Sequence, residues 1–201
     1  MDGVTSAEDL LEIGDALGQP VASPNGEMIR EIRVTHSDNA RAGTQSATHS
    51  TGPLHTDTAF WPLPARYVIL RAMGDIRRPT TVMSFAHLLE ACAPGVLALV
   101  QQSVWLIGNA SGNLRKFYCS IRFQTDNSSG MRYDANCMMA ANVAAERVDY
   151  VLRPLARDCH TDHISWTGSN AAILSNWRVL HGRGPQPPNE GSRLIQRLYA
   201  A

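Results

Sequence analysis

The stretch Pro53-Leu54-His55-Thr56-Asp57-Thr58-Ala59-Phe60 places an imidazole and a carboxylate two residues apart. On an extended strand, side chains i and i+2 point to the same face. His55 and Asp57 can therefore offer two ligands to one metal ion from a rigid backbone. Two ligands do not specify a metal, and an H-x-D tripeptide is common by chance. A third donor has to come from elsewhere in the chain.

Among the seven histidines, His181 is the best placed. It ends a β-favouring run in Asn176-Trp177-Arg178-Val179-Leu180-His181-Gly182-Arg183, far downstream of His55. An H-x-D followed at long range by a single His is the sequence form of the 2-His-1-carboxylate facial triad, which holds Fe(II) and leaves coordination positions open for reactants. His55, Asp57 and His181 are thus both the expected metal ligands and the expected catalytic set.

A rival match stands at His160-Thr161-Asp162-His163, with the same H-T-D tripeptide. The link from Asp162 to His181 is short, with room for one strand and a turn. The residues after Asp162 also lack the buried strand and the Thr-rich strand that follow Asp57. This second tripeptide is read as the polar start of a strand. His87 is read at a helix start, and His36 and His49 as loop residues.

The whole chain fits one domain over residues 1–201, with enough length for a substantial core. Apolar residues make up 44% and charged residues 18%, as in soluble globular proteins. Eighteen acidic residues balance eighteen basic ones, so nothing favours bulk attraction to nucleic acid or anionic membranes. The N-terminus lacks a basic and apolar leader pattern, and no apolar run is long enough to span a bilayer. Cys92, Cys119, Cys137 and Cys159 are dispersed without C-x-x-C spacing, as expected of reduced thiols in a cytoplasmic protein.

Ser6-Ala7-Glu8-Asp9 forms a capping-box pattern ahead of an apolar stripe at Leu10, Leu11, Ile13 and Leu17, ending at Gly18. Residues 27–34 read as a strand and residues 35–52 as a long polar loop leading into the H-x-D motif. Strands are expected at 66–71, 80–85, 116–123 and 131–137, with a turn at 125–130. Residues 88–103 read as helical with a second start at Pro94, and 140–155 as another helix. Short strands follow at 163–166, 171–174, 177–180 and 193–199. Many short strands with helical insertions predict a mainly β architecture, a sandwich or barrel decorated by helices.

On the last strand, Arg193, Ile195 and Arg197 share a face. An arginine directed inward is costly unless it meets an anion, and a guanidinium fork suits a carboxylate. Thr80 or Thr81 offers a hydroxyl to the same anion.

Together these pieces resemble the iron(II)/2-oxoglutarate-dependent dioxygenases of the taurine dioxygenase and clavaminate synthase-like group. The resemblance runs from about Leu10 to Tyr199. It is carried by Leu54–Phe60, by Val179–Arg183 followed by Arg193, and more weakly by Pro79-Thr80-Thr81-Val82. The run from Asn176 to Arg183 is most similar to the branch that hydroxylates trimethyllysine and γ-butyrobetaine.

The resemblance implies a double-stranded β-helix (jelly roll) in which His55, Asp57 and His181 hold Fe(II). Arg193 would pair with the distal carboxylate of 2-oxoglutarate, aided by Thr80, or by Thr81 if the register slips. Arg197 would lie deeper, near the inner carboxylate or an anionic group of the substrate. The implied reaction consumes dioxygen and 2-oxoglutarate and oxidises a small molecule, an amino acid or natural-product intermediate. An intact Asp57 points to hydroxylation or desaturation, since related halogenases lack the carboxylate. Arg122, Arg132 and Arg183 are the arginines available for a substrate carboxylate. The same three ligands also suit zinc hydrolysis, and a non-catalytic jelly-roll binding protein is the remaining class.

Overall fold

A computed structural model describes residues 1, 3–23, 25–34, 53–74, 76–108, 115–158, 162–166, 170–185 and 193–201, excluding the side chains of Val34, Arg157, Asp158 and Arg193. The chain runs α1 (Ala7–Leu17), β1 (Pro20–Val21), β2 (Ile29–Val34), β3 (Tyr67–Ala72), β4 (Ile76–Ser84), α2 (Phe85–Glu90), α3 (Gly95–Gln102) and β5 (Trp105–Ile107). It continues through β6 (Phe117–Cys119), β7 (Arg122–Gln124), β8 (Ser129–Met131), β9 (Met138–Ala140), α4 (Val143–Asp158), β10 (Asp162–Trp166), β11 (Ala171–Ser175), β12 (Val179–Arg183) and β13 (Arg193–Ala200).

The architecture is mainly β with helices, and the strands pair antiparallel. β13 is the hub of the largest sheet. β3 pairs along one edge of it; on the other edge β2 covers Arg193 to Leu198 and β1 covers Tyr199 and Ala200. β11 lies beyond β3. A second sheet has the order β10-β4-β12, a third the order β6-β5-β9, and β7 pairs with β8.

β3 carries an unbroken apolar run because both its faces are covered. Val68, Leu70 and Ala72 join Ile76, Trp166, Ile195 and Tyr199 in a core shared by the five-stranded sheet and the β10-β4-β12 sheet. Ile69 faces the other way and meets Leu10 of α1 and Leu198. Helix α1 is held at its start by a reciprocal cap: the Ser6 hydroxyl accepts from the Asp9 amide at 3.0 Å, and the Asp9 carboxylate accepts from the Ser6 amide at 2.9 Å. A separate core joins the helices to the small sheet through Leu88, Val100, Trp105, Ile107, Met138, Val148 and Leu152. That cluster also takes in Leu54, Ala59 and Leu180. The H-x-D segment therefore runs along the seam between two cores.

Several expected boundaries shift for local reasons. The predicted 116–123 strand is two strands in different sheets, β6 and β7. The 131–137 run stays β only to Met131; beyond it the Asp134 carbonyl accepts from the amides of Cys137 and Met138 and closes a turn. Helix α2 starts at Phe85 because the Ser84 hydroxyl accepts from the His87 amide. Trp177 lies in the turn before β12. Gly130 is required beside it, because a Cβ there would stand 2.5 Å from Phe123 Cζ and 2.9 Å from Trp177 Cβ. The polar segment 35–52 lies outside the described residues. No disulfide joins Cys92, Cys119 and Cys137, and Cys159 lies outside the description. Among the described residues, no helix is long and apolar enough to cross a membrane.

Candidate metal centre

His181 sits inside β12, opposite Val82 of β4. On its other side it pairs directly with His55: the His55 amide donates to the His181 carbonyl at 2.9 Å, and the His181 amide returns the bond at 3.0 Å. Residues that exchange both bonds in an antiparallel pair project their side chains to one face. The two imidazole centroids are accordingly 4.9 Å apart.

The chain between His55 and Asp57 is pinned from behind. The Thr56 amide donates to the Tyr133 carbonyl at 2.8 Å, and the Thr56 hydroxyl accepts from the Tyr133 amide at 3.1 Å. The Asp57 amide donates to Asn176 Oδ1 at 3.0 Å, while Asn176 Nδ2 donates to the carbonyls of Asp57 and Ala65 at 2.9 and 2.8 Å. Thr58 then takes a positive φ of 55°, a region most residues avoid. Its hydroxyl stabilises the bend by donating to the Asp57 carbonyl and accepting from the Ala65 amide. The extended segment therefore ends at Asp57, with its carboxylate turned back toward both histidines.

His55 Nε2 lies 3.5 Å from Asp57 Oδ1, and His181 Nε2 lies 3.5 Å from Asp57 Oδ2. One donor atom from each residue falls within 4.8 Å of the others, the one such cluster among the described residues. The His55 Nδ1 proton is directed at the Pro53 carbonyl, 3.0 Å away. That bond leaves Nε2 facing the cluster, the orientation a metal-bound histidine needs. Two imidazoles and one carboxylate converging from pinned backbone fit Fe(II), which would bind in place of the His55 Nε2 proton.

Arg197 of β13 completes the charge pattern. Its Nη1 donates to Asp57 Oδ1 and Oδ2 at 3.0 and 2.9 Å, and its guanidinium lies 5.0 Å from the Tyr199 ring centroid. Burial opposes ionisation of Asp57, but Arg197 and then His181 hold its carboxyl well below the usual range. Burial likewise opposes protonation of His55; the Asp57 and Asp134 carboxylates outweigh it and raise the group to about 9. His181 is pushed down by burial, despite Asp57 beside it.

The other expected residues fall in different places. Thr80 and Thr81 are both buried, but β4 alternates, so Thr80 shares the face of Val82 and His181 while Thr81 takes the other. The Thr80 hydroxyl accepts from Trp166 Nε1 at 3.1 Å. Arg193 opens β13 opposite Val34, and its side chain lies outside the description. Arg132 is committed to the fold: its guanidinium donates to the carbonyls of Trp61 and Pro62 at 2.7 and 2.9 Å and lies over Phe123. Arg122 is exposed on β7, and Arg183 is half-buried at the end of β12. His36, His49 and His160 lie outside the described residues, and His87 is exposed on α2.

Asn176 is the supporting residue that sequence reasoning missed. It is fully buried, and its signal was a polar side chain immediately ahead of the His-bearing strand. Tyr133 acts through its backbone amide and carbonyl and gave no side-chain signal, whereas Thr58 acts through its hydroxyl.

No protein-family model matches the chain, and no curated protein does. Solved structures do match. Asparagine oxygenase in complex with Fe(II), 2S,3S-3-hydroxyasparagine and succinate aligns with a TM-score of 0.73 at 17% identity, over 95% of this chain and 63% of that one. The non-heme iron oxygenase OrfP in complex with Fe and alpha-ketoglutaric acid aligns at 0.71 and 20%, over 96% and 63%. OrfP with Fe, succinate and (3S)-hydroxy-L-Arg aligns at 0.72 and 18%, over 96% and 65%. The chain thus spans less than two thirds of the length of these proteins. Its fold is that of these asparagine and non-heme iron oxygenases.

Proposed function

We propose that the chain is an iron(II)- and 2-oxoglutarate-dependent oxygenase that hydroxylates or desaturates a small molecule, with a free amino acid or a related natural-product intermediate as the substrate class. The observation that carries this is the convergence of His55, Asp57 and His181 on the fold of enzymes solved with iron and 2-oxoglutarate. Residues 1–201 are taken as one such domain in a jelly-roll arrangement, working in the cytoplasm with dioxygen as co-reactant.

His55, Asp57 and His181 would hold the iron, which supplies dioxygen activation coupled to oxidative decarboxylation of 2-oxoglutarate. The chain's own part is positioning and exclusion of water. The Pro53 carbonyl fixes the His55 tautomer, Asn176 fixes the Asp57 backbone, and the two cores flanking the seam keep His181 and Asp57 dry. Arg193 with Thr80 is the proposed seat for the distal carboxylate of 2-oxoglutarate, and Arg197 for an inner carboxylate. Thr80 is preferred to Thr81 because it shares the His181 face.

The test is succinate formation from 2-oxoglutarate with Fe(II), ascorbate and oxygen, over a panel of amino acids. Turnover that needs iron and disappears in His55→Ala supports the reading. Absence of any iron-dependent turnover, including uncoupled decarboxylation, defeats it.

A further inference from the structure

Arg197 occupies a telling place for a cation. Its Nη1 lies 3.0 and 2.9 Å from the two Asp57 oxygens, the same atoms that His55 Nε2 and His181 Nε2 each face at 3.5 Å. The side chain is not a surface lid: it is 15% exposed, backed by the Tyr199 ring, and its Nε is buried without a hydrogen-bond partner among the described residues. β13 fixes its position between Ile195 and Tyr199, both buried in the core. The carboxylate that would attract a divalent ion is therefore already neutralised by a guanidinium on the same atoms. A dication at the triad meets an Asp57–Arg197 pair whose charges cancel, and the guanidinium of that pair is a like charge at short range in a dry setting.

We propose that Arg197 is a charge-balancing residue that gates the metal centre: it keeps the triad's affinity for a divalent cation low until a carboxylate ligand takes over its guanidinium. The inference rests on the metal-centre reading of His55, Asp57 and His181. Its consequence is reciprocal coupling. An anion that engages Arg197 tightens metal binding, and the metal tightens anion binding by the same factor. The coupling adds to any direct chelation of the metal by the anion. The unpartnered Nε is the donor such an anion would find waiting.

The competing role has the opposite sign. An arginine that merely orients a ligating carboxylate supports the metal, and removing such a partner typically costs about 10–100-fold in affinity. The experiment strips the full chain with a chelator and titrates Co(II), read by its visible absorption. It compares wild type, Arg197→Gln, Arg197→Lys and His55→Ala, each with and without 2-oxoglutarate.

Arg197→Gln is expected to bind Co(II) alone about tenfold more tightly than wild type, while Arg197→Lys, which keeps the charge, stays within about threefold. 2-Oxoglutarate should tighten Co(II) binding more in wild type than in Arg197→Gln, because direct chelation is common to both. Equal or weaker binding in Arg197→Gln overturns the proposal, as does Arg197→Lys matching Arg197→Gln. If Arg197→Gln does not fold, glutarate decides on the wild type. Glutarate lacks the keto oxygen needed for the chelate; severalfold tightening of Co(II) supports the gate, and no change overturns it. Co(II) binding by wild type that is lost in His55→Ala establishes the metal centre whichever way Arg197 behaves. No binding by wild type, with or without 2-oxoglutarate, defeats both readings.

Discussion

His55-Thr56-Asp57 and His160-Thr161-Asp162 are one tripeptide in two settings. Asp57 is buried, gripped through its backbone by Asn176, and faced by two imidazoles and a guanidinium. Asp162 opens the outer strand β10, exposed, with exposed His163 after it; His160 and Thr161 lie outside the described residues. Asp162 and His55 nevertheless belong to one row. Asp162 pairs with Val82, Val82 with His181, and His181 with His55. Asp162 is thus two strands from His181, about 10 Å at normal strand spacing, while His55 is its immediate neighbour. A shared metal requires donors within a few ångströms of each other. The site is made by which strand lies next to β12, and the tripeptide only supplies side chains for it.

The largest expected effect falls on the near tripeptide. His55→Ala and His181→Ala each remove one of three donors, so succinate formation should drop by about a thousandfold or more. Co(II) or Zn(II) should also lose its stabilising effect in thermal unfolding, as expected for wild type in excess chelator. Retention of metal-dependent stabilisation in either variant would break the comparison at its strongest point.

Asn176→Ala comes next. It removes the Asn176 partner of the buried Asp57 amide and the Ala65 carbonyl, and leaves the Asp57 carbonyl only the Thr58 hydroxyl. Unsatisfied buried groups of this kind should cost about 2–4 kcal/mol in chemical denaturation. Metal affinity should fall by about 10–100-fold, because the carboxylate loses its backbone anchor. Asn176→Asp keeps an acceptor for the Asp57 amide but sets a buried carboxylate against the Asp57 and Ala65 carbonyls, and should cost at least as much as Asn176→Ala. Thr56→Val is milder. It preserves the β-branched shape and strips only the hydroxyl that accepts from the Tyr133 amide. A loss of about 1–2 kcal/mol is expected, with all three metal donors left in place.

How much of this was legible in the sequence follows from the range of each interaction. The α1 cap was readable because Ser6 and Asp9 are three residues apart and satisfy each other. The buried strand β3 was readable because covering both faces demands an unbroken apolar run. The triad was readable because iron chemistry restricts residue types and because a family resemblance linked His55 to His181. The partner of Arg197 was not. An inward arginine announces that it needs an anion, but the sequence cannot say whether that anion is a ligand or Asp57, across the full width of the fold. Arg132 shows the same limit: a candidate for a substrate carboxylate, it instead spends its guanidinium on the carbonyls of the segment that follows the motif. Thr80 and Thr81 were equivalent until the pairing of β4 with β12 fixed which one shares the His181 face. In each case the missing information was strand adjacency, which local pattern does not encode.

The smallest expected effect is the sharpest test of that claim. Asp162→Ala alters the acid of the second tripeptide at an exposed position on an outer strand. Its stability change should stay within about 0.5 kcal/mol, as for ordinary surface substitutions. Co(II) affinity and succinate formation should remain at wild-type values, because about 10 Å separates that strand from His181. A loss of metal binding in Asp162→Ala would mean that β10 reaches the metal and that the row order His55, His181, Val82, Asp162 is wrong. The two aspartates differ in neither chemistry nor local spelling, so an unchanged Asp162→Ala beside an inactive His55→Ala would leave strand order as the property that separates them.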